Sequence, residues 1–549
     1  MKKKGFTLIE LLAVIVILAV IALIATPMIL GVIESAKKGA FESSSYGIVE
    51  SAEQGYMQAQ MSTDSPILTK YQYEDGTEIK KQGNIDLKYK GGKPTDGTVT
   101  INESGKVSLV VYNGIYCATK EYNDEKIKLE KISKEECIMK SFTPLLKSFG
   151  GSGAQEFVDV AAVKDGYVVV GYSTSSDGDL ANLNKGTVDA FIIKYDLPGT
   201  IVWKKNFGGS GYDFFYRLIS LEDGYLAVGS SASTDGDLTG LNKGGEDAVI
   251  VKYDLNGNII WKKAFGGSGE EKYTNAILVD DGYIVVGYSR SVDGDLTGLS
   301  KGGKDAILVK YNFDGKIQWK KNFGGSGWDI FSGISVMNDG YIVAGDSSST
   351  DGDLSGLDIN NGDGILVKYD LDGNILWKKK FGGDAGDDFM SVTSVSDGYI
   401  VVGYGSSSDG DMDGLKKGEI DAIIVKYDFD GNVLWKKSYG GEESTYFGRI
   451  ISDVDGYLTV GRSNSKEGDL AGLNKGEYDA IIVKYDFSGN VLWKKNFGGS
   501  ESDSFYGVAL TKDGYIAVGS SESNDGNLLN LKKGLLDAIL IKYDRYGNN

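Results

Sequence analysis

Histidine is absent from the 549 residues, and arginine, proline and cysteine are scarce. Without histidine, the chain excludes Ser-His-Asp and Cys-His nucleophilic mechanisms and zinc sites built on imidazole ligands. The count of 5 prolines against 78 glycines is typical of a turn-rich β protein rather than of a disordered chain. Carboxylates, tyrosines, lysines and five arginines remain for chemistry.

Basic residues are outnumbered by acidic residues, 58 to 77, and the formal net charge is -19. This charge argues against binding of nucleic acid or anionic lipid by the bulk of the chain and favours a soluble surface that attracts cations. The length exceeds that of a usual single-core domain, so we expect several domains or a repeat array.

The chain begins with a long apolar run, MKKKGFTLIELLAVIVILAVIALIATPMIL, that contains one unexpected charge. A run of about 20 apolar residues is enough to span a bilayer, and the preceding lysines are expected to stay on the cytoplasmic side. Glu10 lies inside this run. A carboxylate is costly within a membrane, so such a residue is usually functional.

The order KKKG followed by FTLIE resembles the leader of type IV prepilins. In that family a membrane peptidase cleaves after the glycine and methylates the new N-terminal residue. The resemblance implies cleavage between Gly5 and Phe6, N-methylation of Phe6, and an assembly role for Pro27, where these pilins commonly carry a helix-loosening proline. A secretory signal peptide is an alternative, but its cleavage site follows the apolar core, whereas Gly5 precedes it.

Cleavage after Gly5 also explains Glu10. It creates a positively charged amine, which is costly when it is left unpaired in an apolar bundle. Glu10 of a neighbouring subunit can neutralise that amine and set the axial register of a filament, so we predict that Glu10 is an assembly residue. A simple membrane anchor is the remaining alternative, and it explains neither Gly5 nor Glu10.

The next segment predicts a pilin domain with a helix and a sheet. Apolar residues recur at helical spacing after residue 40 and extend the helix to about Met61. Short alternating runs between turn signals then predict an antiparallel β-meander packed on that helix, with strands in GNIDLKY, GTVTI, GKVSLVVY, IYCATK and EKIKLEK. The chain's only cysteines, Cys117 and Cys137, either form one disulfide, as pilins often do in their C-terminal loop, or remain two free thiols.

The remainder of the chain repeats itself every 58 residues. The element (F/Y)GG begins at Phe149, Phe207, Phe265, Phe323, Phe381, Tyr439 and Phe497. Each unit contains four strand-like runs with hairpin turns between the first two and the last two, which fits one propeller blade. The last unit lacks its fourth strand, and FTPLLKS before the first unit offers a strand in that register, which predicts a closed ring.

These repeats resemble bacterial seven-bladed propeller repeats and, more distantly, quinoprotein and WD-repeat propellers. The predicted fold class is therefore an α+β pilin domain followed by an all-β seven-bladed propeller. The predicted domains are a leader at 1–5, a pilin helix at 6–61 with its membrane and filament core at about 6–30, a β-meander domain at 62–140 and the propeller at 141–549.

A DGD motif recurs on the long connection that follows the second strand of most units. Its aspartates are Asp177, Asp179, Asp235, Asp237, Asp293, Asp295, Asp351, Asp353, Asp409 and Asp411. Carboxylates clustered in a glycine-containing loop could bind Ca²⁺, which makes calcium a candidate cofactor. The spacing is not that of an EF-hand, and the alternative is that these aspartates cap turns by accepting backbone N–H bonds.

Residues that differ between repeats are better ligand candidates than residues that recur. On the first strand of each unit, side chains alternate in direction, so we expect one such variable position to face a central channel. The residues at this position include Asp159, Arg217, Asn275 and Arg449. Two arginines and several polar groups there could hold an acidic sugar or peptide, and the alternative is a solvated channel lining.

Together these features predict a minor type IV pilin that displays a propeller for adhesion or surface binding. The predicted partners are other pilins through the N-terminal helix, the prepilin peptidase, the cytoplasmic membrane before assembly, and a surface glycan or protein, with no nucleic acid. The mature protein is expected in an extracellular pilus at the cell surface. No enzyme activity is expected. One alternative is a surface glycosidase with a carboxylate pair, or a tyrosine beside arginines, and another is a pseudopilin of a secretion or DNA-uptake machine.

Overall fold

The protein is described from a computed structural model, which covers residues 8–549 except 62–68, 75, 83, 84, 86, 103, 104, 121, 123, 135, 136, 138–144 and 182. The chain divides into two compact units, residues 1–143 and residues 144–549. The first unit contains the helix and a six-stranded sheet, and the second contains seven four-stranded sheets. We call the second the propeller-like unit.

The first unit is built on one long helix. Helix α1 covers Leu8–Met61, and the next residue that the structure describes is Thr69. In the part of the chain that the structure describes, no helix is both long enough and apolar enough to span a membrane. The membrane segment at about 6–30 stays a prediction.

An antiparallel sheet packs against the C-terminal part of this helix. Its strands are β1 (Thr69–Glu74), β2 (Thr77–Gln82), β3 (Asp96–Ile101), β4 (Val107–Tyr112), β5 (Cys117–Lys120) and β6 (Lys128–Glu130). Phe41, Ile48 and Ala52 of α1 share one buried core with side chains of the sheet such as Val99 and Leu109. The apolar helical spacing therefore marks the face that the sheet covers.

The order of this sheet is β2-β1-β3-β4-β5-β6, so only β3 to β6 form the predicted meander. The run GNIDLKY was predicted to be a strand, but its described residues form none. The N–H of Lys88 bonds to the hydroxyl of Ser51 on α1 at 2.6 Å, and the Ile85 side chain is buried in the core. The segment docks on the helix, and the hairpin β1–β2 pairs with β3 in its place.

The propeller-like unit begins with strand β7 (Leu145–Phe149) and continues through sheets 1 to 7. Sheet 1 contains β8 (Gln155–Val163), β9 (Gly166–Ser173), β10 (Asp189–Asp196) and β11 (Ile201–Phe207). Sheet 2 contains β12 (Asp213–Leu221), β13 (Gly224–Ser231), β14 (Asp247–Asp254) and β15 (Ile259–Phe265). Sheet 3 contains β16 (Glu271–Val279), β17 (Gly282–Ser289), β18 (Asp305–Tyr311) and β19 (Ile317–Phe323).

The remaining sheets follow the same plan. Sheet 4 contains β20 (Asp329–Met337), β21 (Gly340–Ser347), β22 (Asp363–Tyr369) and β23 (Ile375–Phe381). Sheet 5 contains β24 (Asp387–Val395), β25 (Gly398–Gly405), β26 (Asp421–Tyr427) and β27 (Val433–Tyr439). Sheet 6 contains β28 (Thr445–Asp453), β29 (Gly456–Ser463), β30 (Asp479–Tyr485) and β31 (Val491–Phe497). Sheet 7 contains β32 (Asp503–Leu510), β33 (Gly514–Ser521), β34 (Asp537–Asp544) and β7.

The arrangement of the sheets is propeller-like. The first strand of each sheet contacts the first strand of the next, and β32 of sheet 7 contacts β8 of sheet 1. The second and third strands are buried on both faces, as their continuous apolar sequences predict for strands sandwiched between neighbouring sheets. The core therefore lies in layers between adjacent sheets.

Strand β7 supplies the strand that the last repeat lacks. It pairs antiparallel with β34, with Phe149 opposite Ala538 and Leu145 opposite Lys542. In sheet 1 the equivalent lysine, Lys194, lies opposite Trp203, so Leu145 occupies the register of the repeated tryptophan. The predicted closing strand is confirmed.

Candidate binding surface on the (F/Y)GG face

The predicted assembly residues lie at the start of the chain. Gly5 and Phe6 are outside the described residues, as are the side chains of Glu10 and Pro27. Their roles in cleavage, methylation and assembly stay predictions. Further along the first unit, Cys117 and Cys137 form a disulfide with Cα atoms 5.4 Å apart. Of the two sequence alternatives for these cysteines, the structure has the bonded one.

The side of the propeller-like unit that carries the seven (F/Y)GG segments is called the (F/Y)GG face. The DGD loops lie on this face, because they hydrogen-bond to those segments. Asp235 accepts the N–H of Ser210 at 2.7 Å, and Asp237 accepts the N–H of Gly208 at 3.1 Å. The N–H of Ser210 lowers the pKa of Asp235. The aspartates hold the loops by capping N–H groups, which is the turn-capping alternative.

Neighbouring sheets are also joined through the DGD loops. The amine of Lys185 in sheet 1 lies 2.6 Å from Asp237 of sheet 2, and Lys533 of sheet 7 lies 2.6 Å from Asp179 of sheet 1. Within the described residues, no group of three or more acidic or cysteine side chains has the geometry of a metal site. Calcium binding at these loops stays a prediction.

Three of the four predicted channel residues come together. Asp159 of sheet 1 is 1% exposed and lies 3.0 Å from Arg217 of sheet 2 and 3.2 Å from Arg449 of sheet 6. The N–H of Leu218 also donates to the Asp159 carboxylate, at 2.9 Å. Burial raises the pKa of Asp159, while the Arg217 charge and the Leu218 N–H oppose that rise. Asn275 lies apart and donates to the carbonyl of Ser332 at 3.0 Å.

The Asp159 cluster, formed by Asp159, Arg217 and Arg449, joins three sheets of the propeller-like unit. Two guanidinium groups share one carboxylate, so side chains from three sheets are held together, and one positive charge is left over. Removing Asp159 would leave two partly buried arginines without their partner, which is costly. These residues thus stabilise the contacts between sheets, and their binding of a ligand stays a prediction.

A second cluster, which the sequence did not predict, lies between sheets 3 and 4. We define the Trp328 cluster as Glu270, Lys272, Tyr288, Arg290, Lys304 and Trp328. The Trp328 side chain is 58% exposed. The Arg290 guanidinium carbon lies 5.4 Å from the indole ring centroid and the Lys304 amine lies 5.2 Å from it. Both distances are within the range of a cation–π contact.

The cations of this cluster are arranged around one carboxylate. Glu270 accepts the Tyr288 hydroxyl at 2.6 Å and lies 3.4 Å from Arg290 and 3.5 Å from Lys272. Burial opposes ionisation of Glu270, but the Tyr288 hydroxyl and the two cations outweigh it and lower the pKa. Lys304 lies over the Tyr288 ring, with its amine 3.9 Å from the centroid. Burial, followed by the charge of Arg290, lowers the pKa of Lys304.

A pair of acidic side chains lies beside this cluster. Burial and the nearby charge of Asp388 raise the pKa of Asp346 to about 8. Burial also raises the pKa of Asp388, against a hydrogen bond from Tyr404. Burial thus favours a proton held within this pair at neutral pH. This pair is the kind of group that the alternative of a glycosidase requires.

The signal that could have located the Trp328 cluster is the residue before the first strand of each sheet. These residues are Ala154, Tyr212, Glu270, Trp328, Gly386, Ser444 and Ser502. Six residue types occur at these seven positions, while many of the residues around them recur. The variable position that was predicted to face a central channel lies further along the same strands.

Comparison with known proteins supports the two-part organisation. A family model described as the prokaryotic N-terminal methylation motif matches residues 1–26. The regulatory protein FlaEY of Caulobacter vibrioides is 25% identical over 382 residues, covering 64% of this chain and 37% of that protein. An uncharacterized WD repeat-containing protein of Acanthamoeba polyphaga mimivirus is 22% identical over 463 residues, covering 66% of this chain and 33% of that protein.

These curated relatives are much longer than the matched part, since the alignments span 37% and 33% of their lengths. Among solved structures, the WD40 domain of Neurospora crassa Pan2 superposes with a TM-score of 0.39 at 8% identity, covering 71% of this chain and 89% of that domain. The methylation motif and the observed sheets confirm the predicted prepilin-type N-terminus followed by a propeller-like domain.

Proposed function

We propose that this chain is a minor type IV pilin that displays a closed seven-bladed propeller of 58-residue repeats for adhesion or surface binding. The observation that carries the proposal is the combination of a methylation motif at residues 1–26 with a (F/Y)GG face on which corresponding positions differ from sheet to sheet. In this proposal, the motif directs the chain to pilus assembly. The variable positions provide a surface on which one ligand can be selected.

A low abundance in the filament follows from size. A compact unit of this length is roughly 50 Å across, whereas packed helices stand only about 10 Å apart. Propellers on every subunit would collide, so sparse incorporation is favoured. The prepilin peptidase, the other pilins and the cytoplasmic membrane are the partners of the N-terminal segment in this proposal, and a surface glycan or protein is the partner of the propeller.

The proposal is tested with Glu10→Ala in cells that produce the chain. The variant should still be cleaved after Gly5, because cleavage depends on the glycine. It should be depleted at least about tenfold from sheared filaments, because an unpaired buried amine costs about 3 kcal/mol or more. Immunoblots of membrane and filament fractions measure both steps.

The matched control is Glu50→Ala, which removes the same charge from an exposed position of the same helix. It should enter filaments like the natural chain. If Glu10→Ala were incorporated as well as Glu50→Ala, the proposed pairing of the amine and the carboxylate would be wrong. A chain found only in a secretion or DNA-uptake complex would support the pseudopilin alternative instead.

A second function, hydrolysis of a glycoside, is favoured by the acidic pair alone. Asp346 has the raised pKa that a general acid needs, and Asp388 is close enough to influence it. Release of reducing ends from surface polysaccharides, abolished by Asp346→Asn and by Asp388→Asn, would establish this function. Binding without any release would restrict the unit to adhesion.

A further inference from the structure

We infer that the Trp328 cluster binds a sugar ring that carries a carboxylate, as in a uronic acid oligosaccharide. The inference names the ligand class of the proposed binding face and rests on that proposed function. It depends on three features of the cluster, which are an exposed aromatic ring, an excess of positive charge and a backbone that holds both in place.

The ring of Trp328 is more exposed than the rings of the tryptophans that recur in the repeats. The repeated tryptophans lie on the outer strands, and three of them donate their indole N–H to the next turn, as Trp203 does to Leu255 at 3.2 Å. Trp328 instead stands on the (F/Y)GG face and is 58% exposed. A flat apolar ring at the surface, flanked by polar groups, is the usual composition of a binding hot spot.

The charges around this ring do not balance. Lys272, Arg290 and Lys304 face two carboxylates, Glu246 and Glu270. Lys272 lies between both carboxylates and Arg290 pairs with Glu270, whereas no described carboxylate forms an ion pair with Lys304. Burial and the charge of Asp388 raise the pKa of the nearby Asp346, which reduces its negative charge at neutral pH.

The surplus cation is therefore Lys304. Its side chain is only 8% exposed, and its amine lies between the rings of Tyr288 and Trp328. An amine that is buried without a carboxylate is destabilised, and an anion that reaches it restores the missing pairing. In a chain with a net charge of -19, such a local excess of positive charge selects for an anionic ligand.

Backbone hydrogen bonds fix the two segments that carry the Trp328 ring and the Lys304 side chain. The backbone N–H of Trp328 donates to the Ser348 hydroxyl at 2.8 Å, and the carbonyl of Trp328 accepts the backbone N–H of Ser348 at 2.8 Å. The carbonyl of Lys304 accepts the N–H of Asp329 at 2.7 Å, next to Trp328. Backbone bonds thus hold the ring and the amine side by side. A ligand then pays little conformational entropy on binding.

These features select a carboxylated sugar. A pyranose ring can lie against the exposed part of the indole while its carboxylate reaches the Lys304 amine and the Arg290 guanidinium, which are both within 5.4 Å of the ring centroid. Guanidinium groups bind carboxylates through paired hydrogen bonds. A neutral sugar would use the ring alone and leave Lys304 unpaired.

The same position of sheet 2 provides a natural comparison. Tyr212 corresponds to Trp328 and is 52% exposed, but sheet 1 has Val188 and Thr174 where sheet 3 has Lys304 and Arg290. Tyr212 therefore has the aromatic ring without the cations. It is the matched control for the effect of exposure alone.

The test uses the full chain purified in detergent micelles and titrated with galacturonic acid trimer by calorimetry. The natural chain should bind this trimer and should bind the neutral galactose trimer about tenfold or more weakly. Trp328→Ala, Lys304→Met and the exposed Arg290→Gln should each weaken binding of the acidic trimer by about tenfold or more. Tyr212→Ala should bind it like the natural chain.

Absence of binding by the natural chain, equal binding of the neutral trimer, or unchanged binding by Trp328→Ala and Arg290→Gln would each overturn the inference. The last two variants are at exposed positions, so the test remains decisive if Lys304→Met fails to fold. A chain that enters filaments but does not bind the acidic trimer contradicts the inference alone. A chain that binds the trimer but never enters filaments contradicts the proposed pilin role alone.

Discussion

At the scale of single residues, one acidic pair on the (F/Y)GG face, Asp346 and Asp388, differs from the capping aspartates because its surroundings favour the protonated form. The pKa of Asp346 is raised to about 8 by burial and by Asp388. Below about pH 4 the carboxyl is protonated in the folded and the unfolded chain, and it does not affect stability. Between about pH 4 and pH 8 the unfolded chain loses this proton while the folded chain keeps it, so the free energy of unfolding falls as the pH rises.

Asp346→Asn should flatten this dependence. The amide has the same size and cannot ionise, so the decline in the free energy of unfolding from about pH 4 to about pH 8 should be smaller by at least the equivalent of one pKa unit, about 1.4 kcal/mol. Urea unfolding at a series of pH values measures the difference between the variant and the natural chain. Asp314→Asn, at an exposed turn, is the control and should leave the decline unchanged. A decline of the same size in Asp346→Asn would contradict the protonated state.

Individual residues also show how far sequence reasoning reaches. The period of two along a strand was enough to place Asp159, Arg217 and Arg449 on the same side of three first strands, and they meet in the structure. It could not show that they bind one another. Trp328 and Lys304 come from two different sheets, and their contact depends on the bridge between those sheets, which no spacing along the chain reveals.

At the scale of elements, the closing strand β7 is the most consequential piece of the propeller-like unit. Its pairing with β34 covers an edge that would otherwise expose unpaired backbone groups. Leu145 and Phe149 are buried in a core that includes Phe157 of sheet 1 and Leu540 of sheet 7. The strand therefore contributes to both sheets that meet at the point of closure.

A chain that begins at Gly150 should be less stable than one that begins at Lys140. It loses the backbone pairs with β34 and the burial of Leu145 and Phe149, which together contribute at least about 3 kcal/mol. Urea denaturation followed by tryptophan fluorescence compares the two midpoints, and both chains retain all seven tryptophans. Equal midpoints would show that β7 does not close the ring in solution.

Elements were predicted well where the pattern repeats and poorly where it does not. The four strands of each repeat are confirmed because seven copies of one pattern agree on their limits. In the first unit, GNIDLKY has the alternation of a strand, but Ser51 of the helix takes the N–H of Lys88. A tertiary contact with the helix overrides the local pattern there.

At the scale of the whole molecule, one chain combines an N-terminal methylation motif with a propeller-like unit. A methylation motif stands at residues 1–26, and the propeller-like unit begins at residue 144. The sequence predicts this order because apolar composition and a long repeat are each visible without a structure. The ligand is not visible in the same way, because it depends on side chains that converge from separate sheets.

The central claim is that the chain is processed as a pilin and carries its propeller to the cell surface. Mass spectrometry of the N-terminal peptide, isolated from sheared surface filaments, tests it most directly. The account predicts a peptide that begins with N-methylated Phe6 in the same fraction as peptides of the propeller-like unit. A chain that retains Met1, that is cut elsewhere, or that is found only in the membrane fraction would contradict it.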